Sequence, residues 1–429
     1  MTIGLRRVAW LTLASGVGRI PGFLIPVLVA ALFGAGPLTD AYFLAYNAVL
    51  LVGGTLAQSV EVAIVPFAAR ELLRSGAAAR RFLGATALRL TGASAVAWLI
   101  VVPVLVTAAG AALRSRVAVF AACFAPLALL WSAASVHAGA LVAERDIAAA
   151  SGSLLWRGAG GLVGLALAPA GGGLWSVGLG LGAGELGRTL WLRRRVLAKV
   201  REPVAVDTAP AVSFAHAVSG MVLGAVTLSL VPVVEKLLAV RLGPGSVSHL
   251  EYATRLLIIP AVLFDGALAP HLLAGWSQRV VAEGRAPSRQ EIWVAVGRGL
   301  LLAAGLAVLV AAFAPQIVGV LLLHGRFQTG DAAAVSSLLR VLAIGFVGSM
   351  GALLAERAYL AAARNWMLAA LMVLRGGLRV AVVVVLLSSL RLLAFGVGFA
   401  TAEWCYFLAL LVACRPAPVG SLAAGGVEA

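Results

Sequence analysis

The sequence predicts an all-α polytopic membrane protein of about 12 transmembrane helices, in two six-helix lobes related by a parallel pseudo-two-fold repeat. Three observations carry that prediction. Of 429 residues, 62% are hydrophobic and 12% charged, with mean hydropathy +1.03, which leaves too little polar surface to coat a soluble globule. Apolar runs near the roughly 20 residues that a bilayer requires recur along the whole chain. The chain also repeats itself: Gly139 to Arg145 reads GALVAER and Gly351 to Arg357 reads GALLAER, six of seven letters shared across 212 residues. After each phrase come small residues and an apolar run interrupted by arginine before glycine, Trp156-Arg157-Gly158 and Leu374-Arg375-Gly376.

The first run, roughly 8–33, follows Arg6 and Arg7, continues past Arg19 and shows no small-residue cleavage site, so it reads as a retained span. Runs at roughly 40–68, 84–109, 117–142, 147–168 and 173–192 complete an N-lobe over residues 1–192. Residues 193–211 hold the densest basic stretch together with Pro203 and Pro210, as a cytoplasmic linker would. Runs at roughly 212–241, 250–274, 292–322, 332–361, 366–387 and 391–413 form a C-lobe over 212–415, and 416–429 make a short tail. Runs of this length must be helices, because hydrocarbon offers the backbone no other hydrogen-bond partners.

Orientation follows from the basic residues. Outer segments carry only Arg114, Arg116, Arg241, Arg326 and Arg391, whereas inner ones hold many more, including the Arg193-Arg194-Arg195 run. That bias puts both termini in the cytoplasm. Six helices per lobe give both lobes the same orientation, hence parallel repeats. A second alignment agrees: Leu32-Phe33-Gly34-Ala35-Gly36 matches Arg241-Leu242-Gly243-Pro244-Gly245 at a spacing of 209 residues.

Several function classes fall away. The +16 net charge sits in short loops rather than on one soluble face, which excludes nucleic acid. Cys123, Cys405 and Cys414 are scattered singly, without metal-ligand spacing, and no cofactor or metal is expected. No GxxxxGK[ST] motif occurs, and Gly182 to Gly187 fits GxGxxG only inside an apolar span, where close helix packing is its use. The carboxylates lie singly and the five histidines never pair at ligand spacing, so an enzyme is not expected.

What remains is a set of charges inside spans, each expensive there. Arg19, Arg157, Arg375 and Arg379 lie near mid-span and Arg255 in the outer part of the eighth helix; Glu61, Glu185, Glu235, Asp265 and Glu403 are the acids. Two readings stand: internal pairing that holds helices together, and contact with an anionic cargo, whose phosphates a planar guanidinium fork matches. Pairing suits Arg157, Glu185 and Arg188. The cargo role suits Arg19, which Pro21 and Pro26 follow directly, and Arg255. Arg375 and Arg379 are four apart and share a face. Glu235 or Glu61 is a candidate for proton exchange. The inner-negative membrane potential, about 2.3 kcal/mol per charge per 100 mV, is also available to drive an anion outward.

Ser15-Gly16-Val17-Gly18-Arg19-Ile20-Pro21-Gly22-Phe23, Phe33-Gly34-Ala35-Gly36 and Thr39-Asp40-Ala41-Tyr42 resemble the start of the MviN/MurJ-type lipid II flippases, members of the multidrug/oligosaccharidyl-lipid/polysaccharide exporter superfamily. Val65-Pro66, Tyr252-Ala253-Thr254-Arg255-Leu256 and Leu323-His324-Gly325-Arg326-Phe327-Gln328-Thr329 agree with it. The resemblance implies V-shaped lobes around a central cavity, alternating between inward- and outward-open states to move an undecaprenyl-pyrophosphate-linked saccharide across the cytoplasmic (inner) membrane. It implies cavity arginines at Arg19 and Arg255, an acidic residue at Asp40 opening the second helix, and cell-wall synthesis proteins as partners. The chain departs from the pattern at Ile25-Pro26, where the family has arginine and aspartate, and between Tyr46 and Gly54, where an arginine is missing. Some members hold sodium with an acid on the seventh helix, matched by Glu235, and an Asn/Asp pair on the eleventh, near which Arg375 and Arg379 stand. Fourteen helices are usual in the family against twelve here. The alternatives are an exporter of another lipid-linked oligosaccharide or polysaccharide and a non-transporting scaffold; the arginines argue against a cationic-drug antiporter.

Overall fold

The computed structural model describes residues 20–74, 76–144, 146–198, 214–264, 268–269, 272–273, 275–276, 287–361 and 365–413. Among these there is no strand. In chain order the helices are α1 (Ile20–Phe33), α2 (Pro37–Val49), α3 (Thr55–Ala63), α4 (Val65–Arg74), α5 (Gly76–Ala108), α6 (Ala111–Ala143), α7 (Ile147–Gly152), α8 (Leu154–Leu167) and α9 (Trp175–Ala198). After the 199–213 stretch come α10 (Phe214–Val240), α11 (Ser246–Leu263), α12 (Arg289–Ala312), α13 (Ala314–Leu321), α14 (Thr329–Ala361), α15 (Asn365–Leu390) and α16 (Leu393–Ala413).

Each predicted apolar run is helical over most of its described length. Seven described helices are long and apolar enough to cross a membrane, which makes this a multi-pass membrane protein. Two predicted runs break just before a proline, at Ile64 ahead of Val65-Pro66 and at Phe313 ahead of Ala314-Pro315. Proline lacks the N–H that would continue a helix but fits the first turn of a new one. A π-helical turn, Leu50–Gly54, joins α2 to α3. Outward faces carry exposed leucines and valines such as Leu88, Leu99, Leu301 and Val385, the surface that lipid contact favours.

The chain divides into two compact units. The first is Met1–His249 with Leu321–Asp331; the second is Leu250–Val320 with Ala332–Ala429. In the first, α10 packs on α2 and α3. The core of the first unit joins Val60, Ile64, Leu72, Leu141, Leu192 and Val196, with Tyr42 set among Phe43, Phe120 and Phe124. In the second, Phe264 meets Phe346 edge-on at 6.0 Å and the Tyr359 hydroxyl donates to the Leu410 carbonyl.

Helix boundaries repeat. Both α6 and α14 have 33 residues, and their first and last residues lie 218 apart, as do the first residues of α9 and α16. The starts of α2 and α11 lie 209 apart. By this register the GALVAER and GALLAER phrases, 212 apart, are not equivalent: Glu144 of the first is the C-cap of α6, whereas Glu356 of the second lies more than a full turn inside α14.

Candidate functional site

Asp40, in the first turn of α2, is 2% exposed. Its Oδ2 accepts from the Gly245 N–H at 2.6 Å; its Oδ1 accepts from the Ser248 N–H at 2.8 Å and the Ser248 hydroxyl at 2.6 Å. One carboxylate therefore caps the first turn of α11, whose leading N–H groups have no partner within the helix. Thr39 Oγ1 lies 2.9 Å from Ser248 Oγ, and these two residues hold the same place in the two repeats, 209 apart. The next residue along, His249, has its Nε2 at 2.9 Å from Asp331 Oδ1.

Three loops meet here, backbone against backbone. Gly34 (φ +70°) leaves no room for a side chain, since a Cβ would stand 2.7 Å from the Arg326 carbonyl oxygen. Arg326 in turn donates its N–H to the Ala31 carbonyl at 2.9 Å. Beside the junction lies a cavity of about 390 Å³, lined by Phe33, Gly34, Ala35, Arg326, Gln328 and Asp331.

The charges inside the helices form one contact twice. In the first unit, Arg157 Nε on α8 donates to Glu185 Oε2 on α9 at 2.5 Å. Arg188 Nη1 fills the other oxygen, Oε1, at 2.9 Å, and its Nε bonds the Ser153 hydroxyl at 2.9 Å. Glu185 is 0% exposed and Arg188 2%, and the Arg157 guanidinium lies 3.8 Å above the Trp131 ring. Glycines let the two helices come this close: a Cβ on Gly160 would stand 2.2 Å from the Gly180 carbonyl oxygen, and one on Gly184 would stand 2.4 Å from that of Trp156. Gly184 belongs to the GxGxxG stretch, which thus packs helices.

In the second unit, Arg375 on α15 donates from Nε at 2.9 Å and Nη2 at 2.5 Å to Glu403 Oε1 on α16. Both bridges join residues 28 apart, and each residue of the second lies 218 beyond its counterpart in the first. The register puts Tyr406 where the first unit has Arg188. Tyr406 donates its hydroxyl to Glu356 Oε1 on α14 at 2.9 Å, and the Arg375 guanidinium lies 5.0 Å from the Tyr406 ring. Arg379, one turn from Arg375, lies 4.8 Å from the Phe399 ring.

Among the other candidates, Arg255 is 23% exposed and donates from Nε to Glu251 Oε1 on its own helix at 2.7 Å. Glu235 is buried on α10 beside buried Lys236, and Glu61 is half-buried near the end of α3. Arg19 and Asp265 lie outside the described residues. The structure thus brings Asp40 onto α11 and couples Arg375 to Glu403. The sequence reading did not single out Ser248, Glu356 or Tyr406. Glu356 was on view inside the repeated phrase, and Tyr406 at the register of Arg188.

A family model described as lipid II flippase MurJ matches residues 29–425. The chain belongs to this family. Membership makes it a membrane flippase of a lipid-linked precursor, in a family of transporters rather than enzymes. Among solved structures, a lipid II flippase MurJ in an inward closed conformation has 16% identity and a TM-score of 0.79, over 97% of this chain and 89% of that one. An inward-facing multidrug resistance MATE transporter of the MOP superfamily has 15% identity and a TM-score of 0.73, over 96% of each chain. An outward-facing transporter of the same kind has 13% identity and a TM-score of 0.69, over 94% of each chain. At these identities the likeness is one of fold. No curated protein sequence matches the chain.

Proposed function

We propose that this protein moves an undecaprenyl-pyrophosphate-linked cell-wall precursor, lipid II before others, from the inner to the outer leaflet of the cytoplasmic membrane by alternating access. The observation that carries this reading is the family match over residues 29–425, which takes in Asp40, Arg255 and both ion-paired helix couples. Arg19 and Arg255 are the proposed pyrophosphate contacts: a guanidinium binds phosphate oxygens through a planar fork that lysine lacks. Both termini are proposed to be cytoplasmic, on the distribution of basic residues.

A second cargo, another undecaprenyl-linked saccharide, is favoured by one specific departure: Ile25-Pro26 stands where the family carries arginine and aspartate. Depletion of the protein in its host, followed by analysis of lipid-linked intermediates, tests both. Accumulation of lipid-linked muropeptide on the inner leaflet supports the first cargo, and accumulation of a different lipid-linked glycan supports the second. If no intermediate accumulates, transport itself is refuted. Arg255→Ala, supplied in place of the wild type, is expected to lose at least tenfold in precursor delivery; full delivery would remove Arg255 from the binding role.

A further inference from the structure

Arginines inside the helices meet carboxylates in two ways. The Arg157–Glu185 and Arg375–Glu403 bridges each tie one helix to the next. Arg255 instead donates from Nε to Glu251 Oε1 at 2.7 Å, four residues back on the same helix, α11. That contact joins no two helices, so fastening is not what it accomplishes. A same-helix pair with the acid four residues before the base adds little to the stability of a helix. Yet Glu251 is 3% exposed, a costly place to keep a carboxylate.

What the contact does accomplish is geometric. A guanidinium is planar, and donating through Nε turns that side of the plane toward Glu251 and the Nη1–Nη2 edge away from it. The carboxylate is itself held still, because Leu250, Tyr252, Ala253 and Leu256 beside it on α11 are 3%, 1%, 0% and 4% exposed. Arg255 has 23% side-chain exposure against 13% for Arg157 and 18% for Arg375, so it is the most open of these three paired guanidinium groups. Phosphate oxygens are bound through two parallel N–H bonds, and binding gains when plane and edge are set beforehand. The negative charge of Glu251 acts the other way, since it repels an anion. Orientation and charge therefore oppose each other, and substitution can separate them.

We propose that Glu251 is a positioning residue for the cargo: through Arg255 Nε it fixes the guanidinium plane that receives the pyrophosphate. The inference rests on the flippase reading above and on Arg255 as a pyrophosphate contact. Glu251 stands one residue ahead of the Tyr252-to-Leu256 stretch that carries the family resemblance, so the resemblance does not take it in.

The test is binding of undecaprenyl pyrophosphate to the purified full-length protein, with thermal unfolding of each variant measured alongside. Glu251→Gln keeps an acceptor oxygen for Nε and drops the negative charge, and should bind the probe at least as tightly as the wild type. Glu251→Ala drops both and should bind about tenfold more weakly than Glu251→Gln. On an Arg255→Ala background the two substitutions should bind alike. Equal binding by Glu251→Gln and Glu251→Ala overturns the proposal, and so does a gap between them that persists without Arg255. Where Glu251→Ala does not fold, Glu251→Asp takes its place: the charge stays but the carboxylate stops one methylene short, so binding should fall below the wild type, and unchanged binding overturns the proposal. A wild type that binds no probe refutes the pyrophosphate reading and this inference with it. Wild-type binding that Arg255→Ala weakens, with Glu251→Gln and Glu251→Ala equal, refutes the positioning role alone.

Discussion

The Arg157–Glu185 bridge and the Arg375–Glu403 bridge have the same helix order and the same 28-residue interval, yet one carboxylate is closed on both oxygens and the other on one. One difference produces this, arginine against tyrosine at positions 188 and 406. A geometry set down twice therefore serves as a two-cation fastener in one half and as a single-cation pair in the other. Burial alone does not decide between these roles, because Glu185 and Glu403 are equally buried. The number of cations reaching the carboxylate decides it.

The largest expected effect breaks the comparison at its strong end. Glu185→Ala strands two guanidinium groups in the interior, and removal of one partner from a buried ion pair costs about 3–5 kcal/mol. Glu403→Ala strands one guanidinium and removes an unsatisfied oxygen, so its loss should be smaller. Thermal unfolding of both purified variants measures the gap, and equal losses would mean that the two bridges do not differ in kind. Next come the helix couples that carry the bridges. Gly160→Ala drives a methyl into the Gly180 carbonyl oxygen and should cost about 1–3 kcal/mol or more. At Gly398 the nearest neighbour of an added methyl is the Val383 side chain, which can shift, so Gly398→Ala should be milder. The reverse order in unfolding temperature would show that the second couple is the tighter. The smallest effects concern another repeat pair, Asp40 and His249. Asp40→Asn keeps one acceptor oxygen and turns its N–H₂ toward the donors of either Gly245 or Ser248, at about 1–3 kcal/mol. His249→Ala removes a partly exposed contact to Asp331 and should cost about 1 kcal/mol or less. Denaturant unfolding of the two variants would rank them, and a costlier His249→Ala would give the histidine the larger share of the junction.

Much of this was legible in the sequence, because the physics of a bilayer is blunt. Apolar length fixed helix, and Val65-Pro66 and Ala314-Pro315 were visible as prolines before the structure showed them opening new helices. The pairing of Arg157 and Glu185 was legible as a way to hide charge in hydrocarbon. The partners of Asp40 were not, since they include the backbone N–H groups of Gly245 and Ser248, which every non-proline residue carries. The register of the duplication was misleading at the level of letters. GALVAER and GALLAER match by eye but sit at different depths in α6 and α14, whereas the true register shows in helix ends and in an arginine and a glutamate kept at one interval. Glu403 was visible as an acid in a span. That one of its oxygens is bare depends on where Tyr406 sends its hydroxyl, a choice made in three dimensions.

The touch between Thr39 and Ser248 has an implication for descent. When two half-length chains pair as an isologous dimer, a residue on the rotation axis faces its own twin, and any substitution there falls on both sides at once. Fusion into one polypeptide lifts that constraint, because each twin then mutates alone. Hydroxyls survive on both sides at 39 and 248, while one step away aspartate and histidine have gone separate ways. The junction keeps a memory of symmetry at its centre and shows, one residue out, where the halves became free to specialise.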